Sequence, residues 1–168
     1  MRLGVRPRGL RRPLGIVAAA VLAGGCSTPA DPPAGSVVLR LAATITGATA
    51  ELAVGEELRA AIPGATCWRP VLSDPAVCLD DLPSALPDPV AISRGAPILV
   101  EGRPVAMTAH WLEPAETPRD LVTVPQVEPV VFRDGRAVVG VGPGRFTLSV
   151  FARWQRGDAA FYFTVIVE

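Results

Sequence analysis

Lysine and asparagine are absent from this chain of 168 residues, histidine and tyrosine occur once each, and cysteine occurs three times. Each scarcity removes a class of chemistry. One histidine, His110, cannot supply the two that a His-Glu-x-x-His zinc hydrolase requires, and no Gly-x-Ser-x-Gly elbow is present to expose a triad nucleophile. Without lysine, all positive charge rests on arginine, at 16 basic against 16 acidic residues. Beyond the N-terminal segment basic residues come no closer than three positions apart, as in Arg153 with Arg156, too sparse to neutralise a run of phosphates, so nucleic acid is excluded as a partner. A membrane-spanning helix needs roughly 20 apolar residues, and the run Leu14 to Ala23 supplies only ten. What the chain has instead is alanine, arginine, 16 glycines and 18 prolines, the bias of a GC-rich gene.

That short apolar run has a specific setting. Arg2, Arg6, Arg8, Arg11 and Arg12 precede it and Gly24-Gly25-Cys26-Ser27 follow it. A basic stretch, an apolar stretch and a slim backbone at the cleavage point are the parts of a secretory signal. Leu22-Ala23-Gly24-Gly25-Cys26 resembles the lipobox of bacterial lipoproteins. The resemblance implies cleavage before Cys26, acylation of its sulfur by diacylglycerol carrying palmitate-type chains, and a place on the extracytoplasmic side of the cell membrane. Each buried methylene contributes about 0.8 kcal/mol, so the two chains of a diacylglycerol hold where one would not. Removal of residues 1–25 takes five basic residues and no acidic one, leaving 11 against 16 and a net charge of −5.

Residues 26–36, with Pro29, Pro32 and Pro33 among small residues, are expected to form a lipidated flexible tether, and residues 37–168 a single domain. Within it the hydrophobic period is two. Val37, Leu39, Leu41, Ala43 and Ile45 alternate with Arg40, Ala42 and Thr44, and a second strand is expected over Ala50 to Val54. Phe146, Leu148, Val150, Ala152 and Trp154 alternate with Thr147, Ser149, Phe151 and Arg153. The chain then returns, past Gln155-Arg156-Gly157-Asp158, through Phe161, Phe163, Val165 and Val167 as a hairpin. Two more hairpins are expected around Asp134-Gly135 and Glu101-Gly102. Short strands at 8 to 12 residue spacing, without an amphipathic helix, predict an all-β fold, an antiparallel β-sandwich of about 8–10 strands. The run Gly144 to Trp154 closed by Tyr162 to Val167 resembles the last hairpin of bacterial immunoglobulin-like lipoprotein domains, which implies an immunoglobulin-like sandwich.

With Cys26 taken by lipid and the domain exported, Cys67 and Cys78 are expected to form a disulfide. Pro63, Pro70, Pro75, Pro83, Pro87 and Pro89 around them predict one long disulfide-pinned loop, Pro63 to Pro89, without regular ladder pairing. Trp68 beside Cys67 has two readings, a plug over the end of the core or a contact for a partner. Asp80 and Asp81 on the same loop are further candidate contacts. With Asp74 and Asp88 they lack the ligand spacing of an EF-hand loop, so a solvated acidic surface is expected rather than calcium. His110 falls opposite Val105, Met107, Ala109 and Trp111 on its strand and is expected to face water. In Arg156-Gly157-Asp158 the glycine is already required by the turn, so the tripeptide carries no adhesion signal of its own.

No catalytic group, metal or cofactor is called for. The expected function is that of a membrane-anchored envelope lipoprotein, a non-enzymatic module that meets membrane lipid through Cys26 and an envelope protein or glycan through its loops. A second class is an inhibitor. Gly140 to Gly144, followed by a strand ending in Arg153-Trp154, is similar to the glycine loop and Arg-Pro-Trp element of chagasin-like cysteine-protease inhibitors. The proline between Arg153 and Trp154 is missing, and without asparagine their Asn-Pro-Thr-Thr loop has no counterpart.

Overall fold

A computed structural model describes residues 33–80 and 82–168; the lipobox-like segment, Cys26 and Asp81 lie outside the described residues. Among the described residues, twelve strands form two sheets packed as a sandwich. They are β1 (Val37–Ala43), β2 (Ala48–Val54), β3 (Glu57–Ala60), β4 (Ile62–Trp68), β5 (Val77–Leu79), β6 (Val90–Ile92), β7 (Pro97–Glu101), β8 (Ala106–Leu112), β9 (Gln126–Val130), β10 (Arg136–Val138), β11 (Gly144–Trp154) and β12 (Gly157–Val167). The five-stranded sheet has the order β10-β7-β1-β2-β3 and the seven-stranded sheet the order β5-β4-β12-β11-β8-β9, with β6 alongside β12. Pairing is antiparallel except for β1 with β7 and β6 with β12, which run parallel.

The alternation in the sequence becomes the core. Leu39 and Leu52 from one sheet meet Leu148, Val150, Ala152, Phe161, Phe163 and Val165 from the other, all buried. Side chains of period two point to one face of a strand, so a strand with one apolar face places its whole apolar set in the same layer. The hairpin of β11 and β12 pairs without interruption from Gly144 opposite Val167 to Trp154 opposite Gly157 and forms the spine of its sheet.

Two expected hairpins are corners between sheets. Glu101-Gly102 joins β7 of the smaller sheet to β8 of the larger, and Asp134-Gly135 joins β9 to β10 across the same gap. The second turn does form, with positive φ at Asp134 (51°) and Gly135 (74°), but only one bridge, Arg133 opposite Arg136, follows from it. Turn residues dictate a reversal of the backbone; they do not dictate which sheet receives the returning strand.

The stretch Pro63 to Pro89 also differs from the expected loop, because it contains most of β4 and all of β5. Pro63 sits in the ladder opposite Phe161, beside a register shift between Ala159 and Phe161. β5 covers β4 only from Thr66 to Trp68, so at Pro63 the other edge of β4 is free and a missing N–H costs no ladder bond. Pro129 is tolerated for the same reason, since β9 is the last strand of its sheet.

The outer face of the larger sheet is not bare. Ile62, Leu112, Ala115, Leu121 and Tyr162 form a second buried cluster, with Leu82 and Leu86 packed on it. Two buried threonines fasten the segments that cover it. The Ala115 N–H donates to the Thr147 hydroxyl oxygen at 3.3 Å, and the Thr164 hydroxyl donates to the Pro87 carbonyl at 2.9 Å. Residues 118–122 of one covering segment form a 3-10 turn, at whose start the Asp120 carboxylate accepts from the Thr117 N–H and hydroxyl. Those hydrogen bonds hold the Asp120 carboxyl below its ordinary pKa. His110 lies on this partly covered face and is half-buried rather than fully solvated.

Candidate functional site

β1, β4, β7 and β11 all run toward one end of the sandwich, so the turns that follow them meet there: 44–47, 69–76, 102–105 and 155–156. Between them lies an open cleft of about 430 Å³ lined by Thr44, Ile45, Trp68, Arg103, Trp154 and Arg156 among others. A volume of that order is typical of small-ligand sites.

Trp68 forms its floor. The ring is 4% exposed, its indole N–H donates to the Ile45 carbonyl at 3.1 Å, and it meets Trp154 edge to face with ring centroids 5.9 Å apart. Trp154 in turn packs edge to face on Phe161 at 6.5 Å. The aromatic pair therefore continues the core into the cleft and closes the sandwich beneath it. Edge-to-face pairs of this kind contribute about 0.5–1.5 kcal/mol beyond their buried area. The disulfide stands beside it, with Cys67 directly opposite Cys78 in the register of β4 and β5.

Two turns hold arginines over this floor, each fixed by a glycine. A Cβ at Gly102 would collide with the Leu41 carbonyl oxygen, and its φ of +120° suits glycine alone; a Cβ at Gly157 would collide with the Cys67 carbonyl oxygen. Arg103 follows the first glycine and Arg156 precedes the second. The Arg156 guanidinium donates to the Pro70 carbonyl, and the Arg156 carbonyl accepts from the Arg69 N–H at 2.8 Å, so the turn and the segment after β4 brace each other. Neither Arg103 nor Arg156 has a carboxylate partner among the described residues. A smaller adjoining cleft, of about 310 Å³, adds Arg69 and Arg153, with Asp158 its only acidic lining residue. Ile45 and Val105 stand at the rim, 65% and 66% exposed.

Asp80 is elsewhere. It lines a separate cleft of about 470 Å³ with Ser84, Thr117 and Arg119, between the two segments that cover the larger sheet. Burial, and then the Asp80 charge, raise the pKa of the Tyr162 hydroxyl above its ordinary value. The structure thus separates Trp68 from Asp80, and Asp81 lies outside the described residues. His110 stands opposite Ser149 on β11 and Pro129 on β9, in a row that continues to Tyr162 and Ile62 and contains no acid that could orient the imidazole. Among the described residues no three His, Cys, Asp or Glu side chains gather to hold a metal ion. Gly140 to Gly144 and Arg153-Trp154 occupy opposite ends of β11, about 33 Å apart at the usual strand rise. The two elements similar to the protease inhibitors do not share an edge that could enter one cleft.

Sequence patterning does not mark Arg103, Ile45 or Arg156 as lining one cleft. The signal that bears on them is the pairing of each arginine with a turn glycine, but only the structure brings 102–105 beside 155–156. Family models, curated proteins and solved structures gave no match to this chain.

Proposed function

We propose that this protein is a lipid-tethered, non-enzymatic binding module of the cell envelope, and that the cleft over Trp68 and Trp154 is where it meets its partner. The observation that carries this reading is the direction of β1. The chain enters the sandwich at Ser36, beside Val37, and β1 delivers it to Ala43 and Thr44 in the cleft wall, about 25 Å away. A protein acylated at Cys26 would present the cleft at the end remote from its tether. The lipobox-like Leu22 to Cys26, the oxidised Cys67–Cys78 pair and an open cleft lined by tryptophans and arginines support the reading of an exported binding domain.

Fractionation and photo-crosslinking test the reading together. Cys26→Ala should move the protein from membranes to the soluble fraction with its circular dichroism unchanged, and a photoreactive residue at Ile45 should label an envelope component in the tethered protein. Continued membrane association of Cys26→Ala would refute the anchor. Failure of Ile45, and of Val105 across the cleft, to label anything in intact cells would refute the cleft as the meeting point.

A further inference from the structure

Resting on that reading, we infer that the cleft recognises a carboxylate carried on an apolar body, such as the C-terminal residue of a polypeptide or a small organic acid of the same chemistry. The cleft's own hydrogen-bonding inventory leads to this class. Its neutral donors are largely engaged: the Thr44 hydroxyl donates to the Gly47 carbonyl at 3.0 Å, the Trp68 indole to the Ile45 carbonyl at 3.1 Å, and the Val105 N–H to the Arg153 carbonyl at 2.6 Å. Those bonds also occupy carbonyls that would otherwise accept from a ligand.

Among the polar side chains, what remains is the free N–H groups of Arg103 and Arg156 and the amide of Gln155. A neutral sugar offers as many donors as acceptors and would leave its hydroxyl protons poorly matched. A ligand that only accepts, and is charged, matches two planar guanidinium forks. The electrostatics agree. No acidic residue lines the main cleft, and four arginines against Asp158 line the two adjoining ones, although the chain from Cys26 onward carries 11 basic and 16 acidic residues. An acidic protein that gathers uncompensated arginines at one end attracts anions there and repels them elsewhere.

The apolar part of the ligand follows from the walls. Trp154 is half-buried, and Ile45 and Val105 flank the opening with most of their surface in water. Covering them would remove apolar surface at about 25 cal/mol per Å². Charge and grease therefore converge in about 430 Å³, room for one residue-sized group rather than an extended polymer. Because Gly102 and Gly157 fix the backbone of both turns and Arg156 is braced on the Pro70 carbonyl, part of the ordering cost of binding is met before the ligand arrives.

The test uses the full-length protein in detergent and calorimetric titration with four probes: N-acetylphenylalanine, its amide, and an acetylated tripeptide ending in phenylalanine as acid and as amide. The acids should bind at least tenfold tighter than the amides. Arg103→Gln and Arg156→Gln should each weaken the acids about tenfold while melting temperature stays the same for Arg103→Gln. Tight binding of the tripeptide acid assigns the ligand to polypeptide ends; binding of the free acid alone assigns it to small organic acids. Equal affinity for acids and amides, or no heat from any probe at millimolar concentration with the protein still folded, overturns the inference. Labelling from Ile45 that persists in the Arg103→Gln, Arg156→Gln double variant would overturn it too, while leaving the envelope module standing.

Discussion

Removing the disulfide with Cys67→Ser and Cys78→Ser should lower the melting temperature by about 10 °C. The bridge closes a loop with a sequence separation of 11 residues, and the chain-entropy relation assigns such a loop about 2.8 kcal/mol at 25 °C. A domain spanning residues 37–168 has an unfolding entropy near 280 cal/mol/K at about 2.1 cal/mol/K per residue, which converts that loss into the stated shift. The structure adds a local expectation. Every residue of β5 is exposed, and its pairing covers only Thr66 to Trp68, so little but the bridge holds it to the sheet. Trp68 is buried and β4 is ladder-bonded to β12, so β4 should stay in place when β5 lets go. Thermal melts followed by circular dichroism measure the first effect, with a thiol titration of the unaltered protein to establish that the bridge is closed. Hydrogen exchange at the Val77 and Leu79 amides measures the second. A shift below about 3 °C with unchanged exchange at both amides would refute the reasoning, because it would mean the segment orders itself without the crosslink.

Three other substitutions have distinct expectations. Trp68→Ala removes a buried ring and frees the Ile45 carbonyl, a loss of about 3–5 kcal/mol and well over 10 °C by thermal melt, with Trp68→Phe recovering part of it; an unaltered melt would show that the ring does not close the core. Gly157→Ala and Gly102→Ala should each cost about 1–3 kcal/mol in a denaturant titration, whereas Gly142→Ala, where a new Cβ meets open space, should cost well under 1. Tyr162 is the sole tyrosine, so its ionisation can be followed alone by tyrosinate absorbance. Its folded pKa is raised, so its stabilisation is complete below pH 10 and is lost as pH rises through the folded value. Asp80→Asn removes the smaller of the two causes and should move the midpoint down, with burial keeping it above the ordinary value; an upward shift would contradict the placement of Asp80.

Period-two patterning was enough to read the all-β class and the β11–β12 hairpin, and cysteine count was enough for the bonded Cys67–Cys78 pair. Those features depend on local chemistry: alternation selects one face, and two thiols close in sequence find each other. Sheet assignment was not legible, since Gly102 and Gly135 mark reversals whichever sheet receives the next strand. Pro63 reads as a ladder breaker because edge positions are decided by distant neighbours, here the limited reach of β5. Thr147 and Thr164 counted as polar in the alternation, yet both are buried with their hydroxyls bonded, which conceals the covered outer face from any strand-by-strand reading. The cleft shared this fate: Ile45, Arg103 and Arg156 are separated by 58 and then 53 positions, and only the common direction of β1, β7 and β11 brings them together.

That common direction separates stability from recognition at the same end of the molecule. Arg103 is exposed, makes no ion pair with any described residue, and adds little to a fold whose core closes below it at Trp68 and Trp154. Gly102, its neighbour, is pressed against the backbone of β1 and cannot change without moving the turn. The same contrast holds less sharply for Arg156 and Gly157, since Arg156 also bonds the Pro70 carbonyl. Substituting Arg103 should therefore change what the cleft binds and leave the melt alone, while substituting Gly102 should change both. A chain in which Arg103→Gln destabilised the fold as much as Gly102→Ala would place that arginine in the architecture, and the cleft would lose its claim to be a surface held ready for a partner.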